Sequence, residues 1–160
     1  MRKDRLIQER IHDPYYEEKK YPDGVVCPGC GAVYEDGRWM WPTEAEKIIS
    51  PEAEEYLCPA CRRIRDKYPA GVVTLSGGYL KAHKEEILNL VNNVIEEEQE
   101  RSPLKRLINM EEADEKLVLN FTDDHLARRV GEAVGRAHKG DLEVKYLDEA
   151  KFVDVSWHRD

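Results

Sequence analysis

All four cysteines of this chain fall into two short pairs, Cys27-Pro28-Gly29-Cys30 and Cys58-Pro59-Ala60-Cys61. A C-x-x-C turn brings two sulfurs close enough to share one ion, and two such turns supply the four thiolates of a tetrahedral site. The spacing predicts one structural metal ion per chain, bound by Cys27, Cys30, Cys58 and Cys61, with zinc the first choice. Gly31 lets the backbone reverse behind the first pair, which turns amides toward the sulfurs. With four sulfur ligands such an ion keeps no open position for water, so its expected role is structural rather than catalytic.

Other chemistries use the same residues. A C-P-x-C pair also forms thioredoxin-type redox sites, but one pair suffices there and no βαβ pattern surrounds either pair here. The first turn, with Gly31 and Tyr34 behind it, resembles half of a rubredoxin iron site. Arg62 and Arg63 follow the second turn where rubredoxin would have glycine. A rubredoxin-like iron electron carrier is therefore the minor alternative. Two disulfides are disfavoured in a reducing cytoplasm, the compartment expected for this chain. No apolar core follows Met1-Arg2-Lys3-Asp4-Arg5, so no secretory signal is expected, and no run of about eighteen apolar residues suggests a membrane span.

The surrounding pattern divides the chain into a charged N-terminal arm (1–24), a four-cysteine zinc module (25–70) and an α+β sandwich domain (71–160). Pro14 and Pro22 break any helix in the arm, which reads equally as a solvated tail and as a binding arm. In the module, Ala32 to Trp41 reads as a hairpin turning at Asp36-Gly37, with Trp39 and Trp41 on one face and packed over the metal. Thr43 to Ile49 reads as a short helix capped by Thr43 and Glu46 and stopped by Pro51. The second cysteine pair runs into a basic helix at Arg62. A hairpin after one pair and a helix after the other give a zinc-ribbon or treble-clef-like module. Aliphatic residues are scarce in it, so the metal must supply much of its folding free energy, roughly 10 kcal/mol or more in isolated zinc modules.

Past Pro69-Ala70-Gly71, Val72 to Leu75 reads as a strand and Gly77-Gly78 as the turn into a long helix ending near Arg101. Leu80, Ile87, Leu88, Val91, Val94 and Ile95 recur at helical spacing. Glu96-Glu97-Glu98 oppose the helix dipole and predict fraying. Leu104 to Met110 and Lys116 to Thr122 read as strands. A second helix spans Asp123 to Lys139, its stripe formed by Leu126, Val130, Ala133, Val134 and Ala137 and its end set by Gly140. Leu142 to Leu147 and Phe152 to His158 form a closing hairpin. This order predicts a ferredoxin-like (split βαβ) sandwich with an added C-terminal strand.

Charge narrows the function. Charged residues make up 36% of the 160 and the formal net charge is -8, which argues against a protein that wraps nucleic acid through overall basicity. Basic residues are nonetheless clustered. Arg62, Arg63 and Arg65 follow the second cysteine pair, and Arg128, Arg129, Arg136 and Lys139 fall largely on one flank of the second helix. The first group can neutralise a four-thiolate centre; either group can contact phosphates. No phosphate-binding loop and no fixed arrangement of histidine and carboxylate appears, so no enzyme is expected.

The two C-P-x-C turns, Cys61-Arg62-Arg63-Ile64, Pro69-Ala70-Gly71 and above all the run from Thr122-Asp123-Asp124-His125 through Leu126-Ala127-Arg128-Arg129-Val130-Gly131 resemble the N-terminal region of the Nmd-three family of large-ribosomal-subunit export adaptors. Small bacterial zinc-ribbon proteins of the same layout are still more similar. In the larger relatives zinc modules help dock the protein on the large ribosomal subunit. The resemblance implies contact with RNA or a ribonucleoprotein here. A protein-protein interaction module with a purely structural zinc is the alternative, and no membrane partner is expected.

Overall fold

Alternating apolar residues and a small set of turn residues sort the chain into two sheets. The computed structural model describes residues 21–42, 54–147 and 152–160. The arm as far as residue 20 and the helix expected over Thr43 to Ile49 lie outside the described residues. In the N-terminal part, β1 (Val25–Val26), β2 (Val33–Glu35) and β3 (Arg38–Met40) form an antiparallel sheet in that order. Asp36 and Gly37 both take positive φ, 53° and 85°, as the tight turn between β2 and β3 requires. Helix α1 (Pro59–Asp66) begins inside the second cysteine pair, with Cys61 in its first turn, rather than at Arg62.

The larger sheet is built from β4 (Gly71–Ser76), β5 (Leu107–Ala113), β6 (Lys116–Phe121), β7 (Asp141–Leu147) and β8 (Phe152–His158). Helices α2 (Gly78–Ala82) and α3 (Lys84–Arg101) follow β4, and α4 (Asp124–His138) follows β6. The strand order is β5-β6-β4-β8-β7. β4 pairs antiparallel with β6 and parallel with β8, and β5 and β7 close the two edges antiparallel to their neighbours. The connection through α4 thus passes over two strands, and β8 turns back into the space between β4 and β7.

Period-two alternation puts Val73 and Leu75, Leu117, Leu119 and Phe121, and Val153, Val155 and Trp157 on one face, all fully buried. Ile87 and Val91 of α3 and Leu126, Val130 and Val134 of α4 cover that face. The other face is polar, with Asp154, Ser156 and His158 of β8 exposed. Close packing of α4 on the sheet depends on missing side chains: a Cβ on Gly71 would sit 2.6 Å from Ala127 and 2.9 Å from Val153. One on Gly131 would collide with the branched Val155.

Several sequence expectations shift for physical reasons. The long helix is two, because His83 leaves helical geometry (φ -121°, ψ 27°). There its ring stacks on Tyr79 with centroids 3.9 Å apart and bonds the Tyr79 carbonyl. On α4 the buried stripe runs through Ala127 and Gly131, while Ala137 is exposed. β5 begins at Leu107 rather than Leu104, since Leu104 and Arg106 are tied to the Thr122 hydroxyl, which donates to the Leu104 carbonyl (2.7 Å) and accepts from the Arg106 amide (2.8 Å).

The acidic end of α3 is ordered as helix to Arg101, against the expected fraying. Glu98 is buried, 5% exposed, and meets Lys105 at 3.0 Å and Arg129 at 2.9 Å, while Glu97 meets Arg129 at 3.0 Å. The Lys105 hydrogen bond in particular holds the Glu98 carboxyl below its ordinary value of 4.5. A carboxyl depressed on folding adds stability that is present above the unfolded value and is lost as pH falls through the folded one. Glu98→Gln should therefore lower unfolding free energy near neutral pH by roughly 1–3 kcal/mol. Urea melts at a series of pH values should show the gap closing below about pH 4.5, and a gap that stays constant into acid would refute the role of this charge.

Candidate metal centre

The site is assembled from two local structures that the sequence forms independently. In the first, Cys27 and Cys30 bracket a turn closed by the Gly31 amide on the Cys27 carbonyl (2.9 Å), with Gly31 at φ 84°. In the second, Cys58 is the N-cap of α1 and Pro59 its first residue, where a missing N–H costs nothing. The two meet because β1 carries the first turn beside the strand-like stretch before the second: Val26 N donates to Glu54 O (2.9 Å) and Tyr56 N to Val26 O (3.1 Å).

The four sulfurs lie within 4.8 Å of one another. Metal–sulfur bonds of about 2.3 Å in a tetrahedron place sulfurs about 3.8 Å apart, and Cys30 Sγ lies 3.8 Å from Cys58 Sγ. The donor set and its spacing therefore fit a four-coordinate ion. Amides are aimed at the sulfurs: Gly29 N and Cys58 N at Cys27 (3.3 and 3.2 Å), and Cys61 N at Cys58 (3.4 Å). Cys27 and Cys58 are fully buried.

The thiols compete electrostatically at this point. Hydrogen bonds from the Cys30 and Cys58 side chains hold Cys27 far below the ordinary thiol value of 9.0. The same bond to Cys27 pushes Cys30 up to about 11, and Cys58 is raised further by both neighbours and by burial. One thiolate is thus stabilised at the expense of the others, a competition that a cation among the four sulfurs would relieve.

A ligand-shell residue comes from far along the chain. Arg106 donates from its guanidinium to Cys61 Sγ at 2.7 Å, placing a positive charge against a centre that four thiolates around a divalent ion would leave doubly negative. The aromatic expectation also holds: Trp39, 8% exposed, packs in one cluster with Cys27, Cys58 and Tyr34, and Trp41 packs against that cluster. Trp41 also donates from its indole to the Gln99 carbonyl at 2.6 Å, near the end of α3.

No protein-family model, curated protein or solved structure matches this chain. Its assignment rests on its own geometry.

The basic residues separate into distinct settings. Arg63 is buried, 6% exposed, and donates to the Tyr68 carbonyl at 3.1 Å. Arg65 pairs with Asp66 at 2.8 Å. Arg62 also lies on α1. On α4, Arg128 pairs with Glu132 at 2.9 Å and Arg129 with Glu97 and Glu98. Arg136 and Lys139 are exposed at the end of that helix. Arg106 and Glu98 were missed from the sequence, because neither lies at a motif spacing from its partners.

A second polar group occupies the uncovered face of the large sheet, beside an open cavity of about 410 Å³. Ser76 Oγ lies 2.9 Å from His158 Nδ1, and His158 Nε2 lies 3.0 Å from Asp160. Side-chain exposures of 50% for His158 and 93% for Asp160 leave this line in water, without the desolvation that gives such relays catalytic strength.

Cobalt(II) titration of the full chain should give tetrahedral thiolate absorption saturating at one ion. Cys58→Ser should abolish it. Arg106→Met should retain the bands with affinity lowered about 10- to 100-fold, the usual scale for losing a ligand's hydrogen-bond partner; unchanged affinity would show that Arg106 does not act on the centre.

Proposed function

We propose that this chain is a non-enzymatic, metal-stabilised cytoplasmic binding protein, with one zinc ion closing the cysteine quartet. The observation that carries this reading is that four protein sulfurs lie within 4.8 Å of one another, the number of ligands a tetrahedral site needs. The same centre with iron would make an electron carrier; a red sample with thiolate-to-iron absorption would support that reading, and a colourless one with one zinc per chain would dismiss it. We read the N-terminal part as a zinc-ribbon or treble-clef-like module, supported by the hairpin after one cysteine pair and the helix after the other. The remainder reads as a split βαβ sandwich, supported by the β4-β6-β5 order, with β8 inserted beside β4.

RNA or a ribonucleoprotein is the partner class the reading favours, in line with the resemblance to ribosome-export adaptors. Arg128, Arg129 and Arg136 lie on one helix with Lys139 at its C-cap; the Arg128–Glu132 and Arg129–Glu97 pairs are solvent-accessible, so phosphates can exchange with those carboxylates, while Arg129 is also held by the buried Glu98. A protein partner is the second reading, and those same ion pairs favour it, since they leave the middle of α4 close to neutral.

Co-sedimentation with ribosomes or filter binding to RNA should weaken steeply between low and physiological salt. Arg136→Ala combined with Lys139→Ala should reduce binding and flatten the salt slope by about two, one per lost phosphate contact. Binding that resists both treatments, or a partner recovered intact after nuclease digestion, would replace RNA with protein.

A further inference from the structure

The two edges of the large sheet are built differently. The β5 edge is guarded: its register with β6 shifts between Leu107 and Asn109, and it exposes Glu111 and Glu112, the latter ion-paired with Lys84. Bulges and exposed charges are among the ways edge strands avoid pairing with other chains; β7 also exposes charge, but of alternating sign at Glu143 and Lys145. The β7 edge has no such interruption. It pairs with β8 in continuous register from Asp141↔His158 to Leu147↔Phe152. It also exposes Leu142, Tyr146 and Leu147 at 37%, 42% and 48%, half of the large apolar side chains exposed among the described residues.

The sequence of β7, Asp-Leu-Glu-Val-Lys-Tyr-Leu, is self-complementary about Val144. If a second β7 runs antiparallel with Val144 on the two-fold axis, Glu143 faces Lys145 of the copy and Lys145 faces its Glu143. Leu142 and Tyr146 face each other in the same way on the opposite face. Directly opposed residues share a face, so the neighbouring allowed registers lie one step of two away. Those registers put Glu143 against Glu143 or Lys145 against Lys145 on the axis, which like-charge repulsion disfavours. The Val144-centred register alone pairs Glu143 with Lys145 and Leu142 with Tyr146, leaving Asp141 opposite Leu147 at each end.

The apolar side of the strand is already held in place. Leu142 lies in the space left by Gly135, 3.5 Å from where a Cβ would stand, and the Tyr146 ring lies 6.0 Å from the Arg128 guanidinium. Little side-chain freedom remains to be lost on association. We infer that β7 is a homodimerisation edge, at which two copies of this chain pair antiparallel about Val144 into a continuous ten-stranded sheet. Such a pairing adds about six to eight backbone hydrogen bonds, and its isologous symmetry closes the assembly at two copies.

Sedimentation velocity on the full chain should give a mass twice the 18.6 kDa of one chain at micromolar concentration. Glu143→Lys alone and Lys145→Glu alone should each shift the dimer midpoint at least tenfold toward monomer, since each creates two like-charge contacts. Mixing the two variants should restore a dimer, because the copy carrying two lysines then faces the copy carrying two glutamates. Both positions are exposed, so circular dichroism should report unchanged folding. A monomer at all concentrations up to about 100 μM, or a dimer indifferent to the single reversals, or single variants that do not recover on mixing, would each overturn the assignment.

Discussion

Four thiolates within 4.8 Å of one another repel unless a cation lies between them, and the cysteine-bearing part of this protein is arranged around that constraint. Its buried cluster consists of cysteines, Val25, Ala32, Tyr34, Trp39 and Ala60, too few aliphatic groups for burial alone to order two turns, a hairpin and a helix. An ion bound by the four sulfurs would supply what that cluster lacks. Once the sulfurs converge, the positions of α1 and β1–β3 follow, because each cysteine turn is rigid and each amide aimed at sulfur fixes its orientation.

The metal centre is also wired to the rest of the chain. Arg106 reaches Cys61, the Trp41 indole reaches the Gln99 carbonyl, and Leu104 packs on the cysteine cluster. All three contacts land at the end of α3 or just beyond it. The same short stretch carries Glu98 and Lys105, which tie α3 to Arg129 of α4. The orientation of the cysteine module and the packing of the two helices thus share one junction, whereas the core of the larger sheet is complete without it.

What the sequence revealed was what local chemistry determines. The cysteine pairs specified the site because C-x-x-C spacing has few other uses; at the head of the second helix Thr122 and Asp123 were both fit to cap, and it is the Asp123 carboxylate that accepts from Leu126 N at 2.9 Å. Strand and helix stripes were legible wherever one face is buried, as in β6 and β8. The failures were nonlocal. Nothing near Arg106 in the sequence points to a sulfur 45 residues away, and Glu96-Glu97-Glu98 looked unfavourable only because Lys105 and Arg129 were invisible to a helical reading. The position of β8 inside the sheet follows from a crossover that passes over two strands, a choice that no pattern within either strand encodes.

The arginines of α4 show how far a charge pattern can be read. On a helical wheel Arg128, Arg129, Arg136 and Lys139 form a basic flank, but Arg128 and Arg129 are partnered by Glu132, Glu97 and Glu98, which leaves net positive charge toward the C-terminal end. There it also serves the helix: the Lys139 carbonyl accepts from the Trp157 indole and the His138 carbonyl from Arg159, while Arg136 and His138 oppose the negative end of the dipole. Positive charge placed for helix stability is thereby concentrated on an exposed corner of an acidic protein. With a formal net charge of -8 the molecule as a whole repels a polyanion, and that corner is where attraction from α4 is least offset by ion-paired carboxylates.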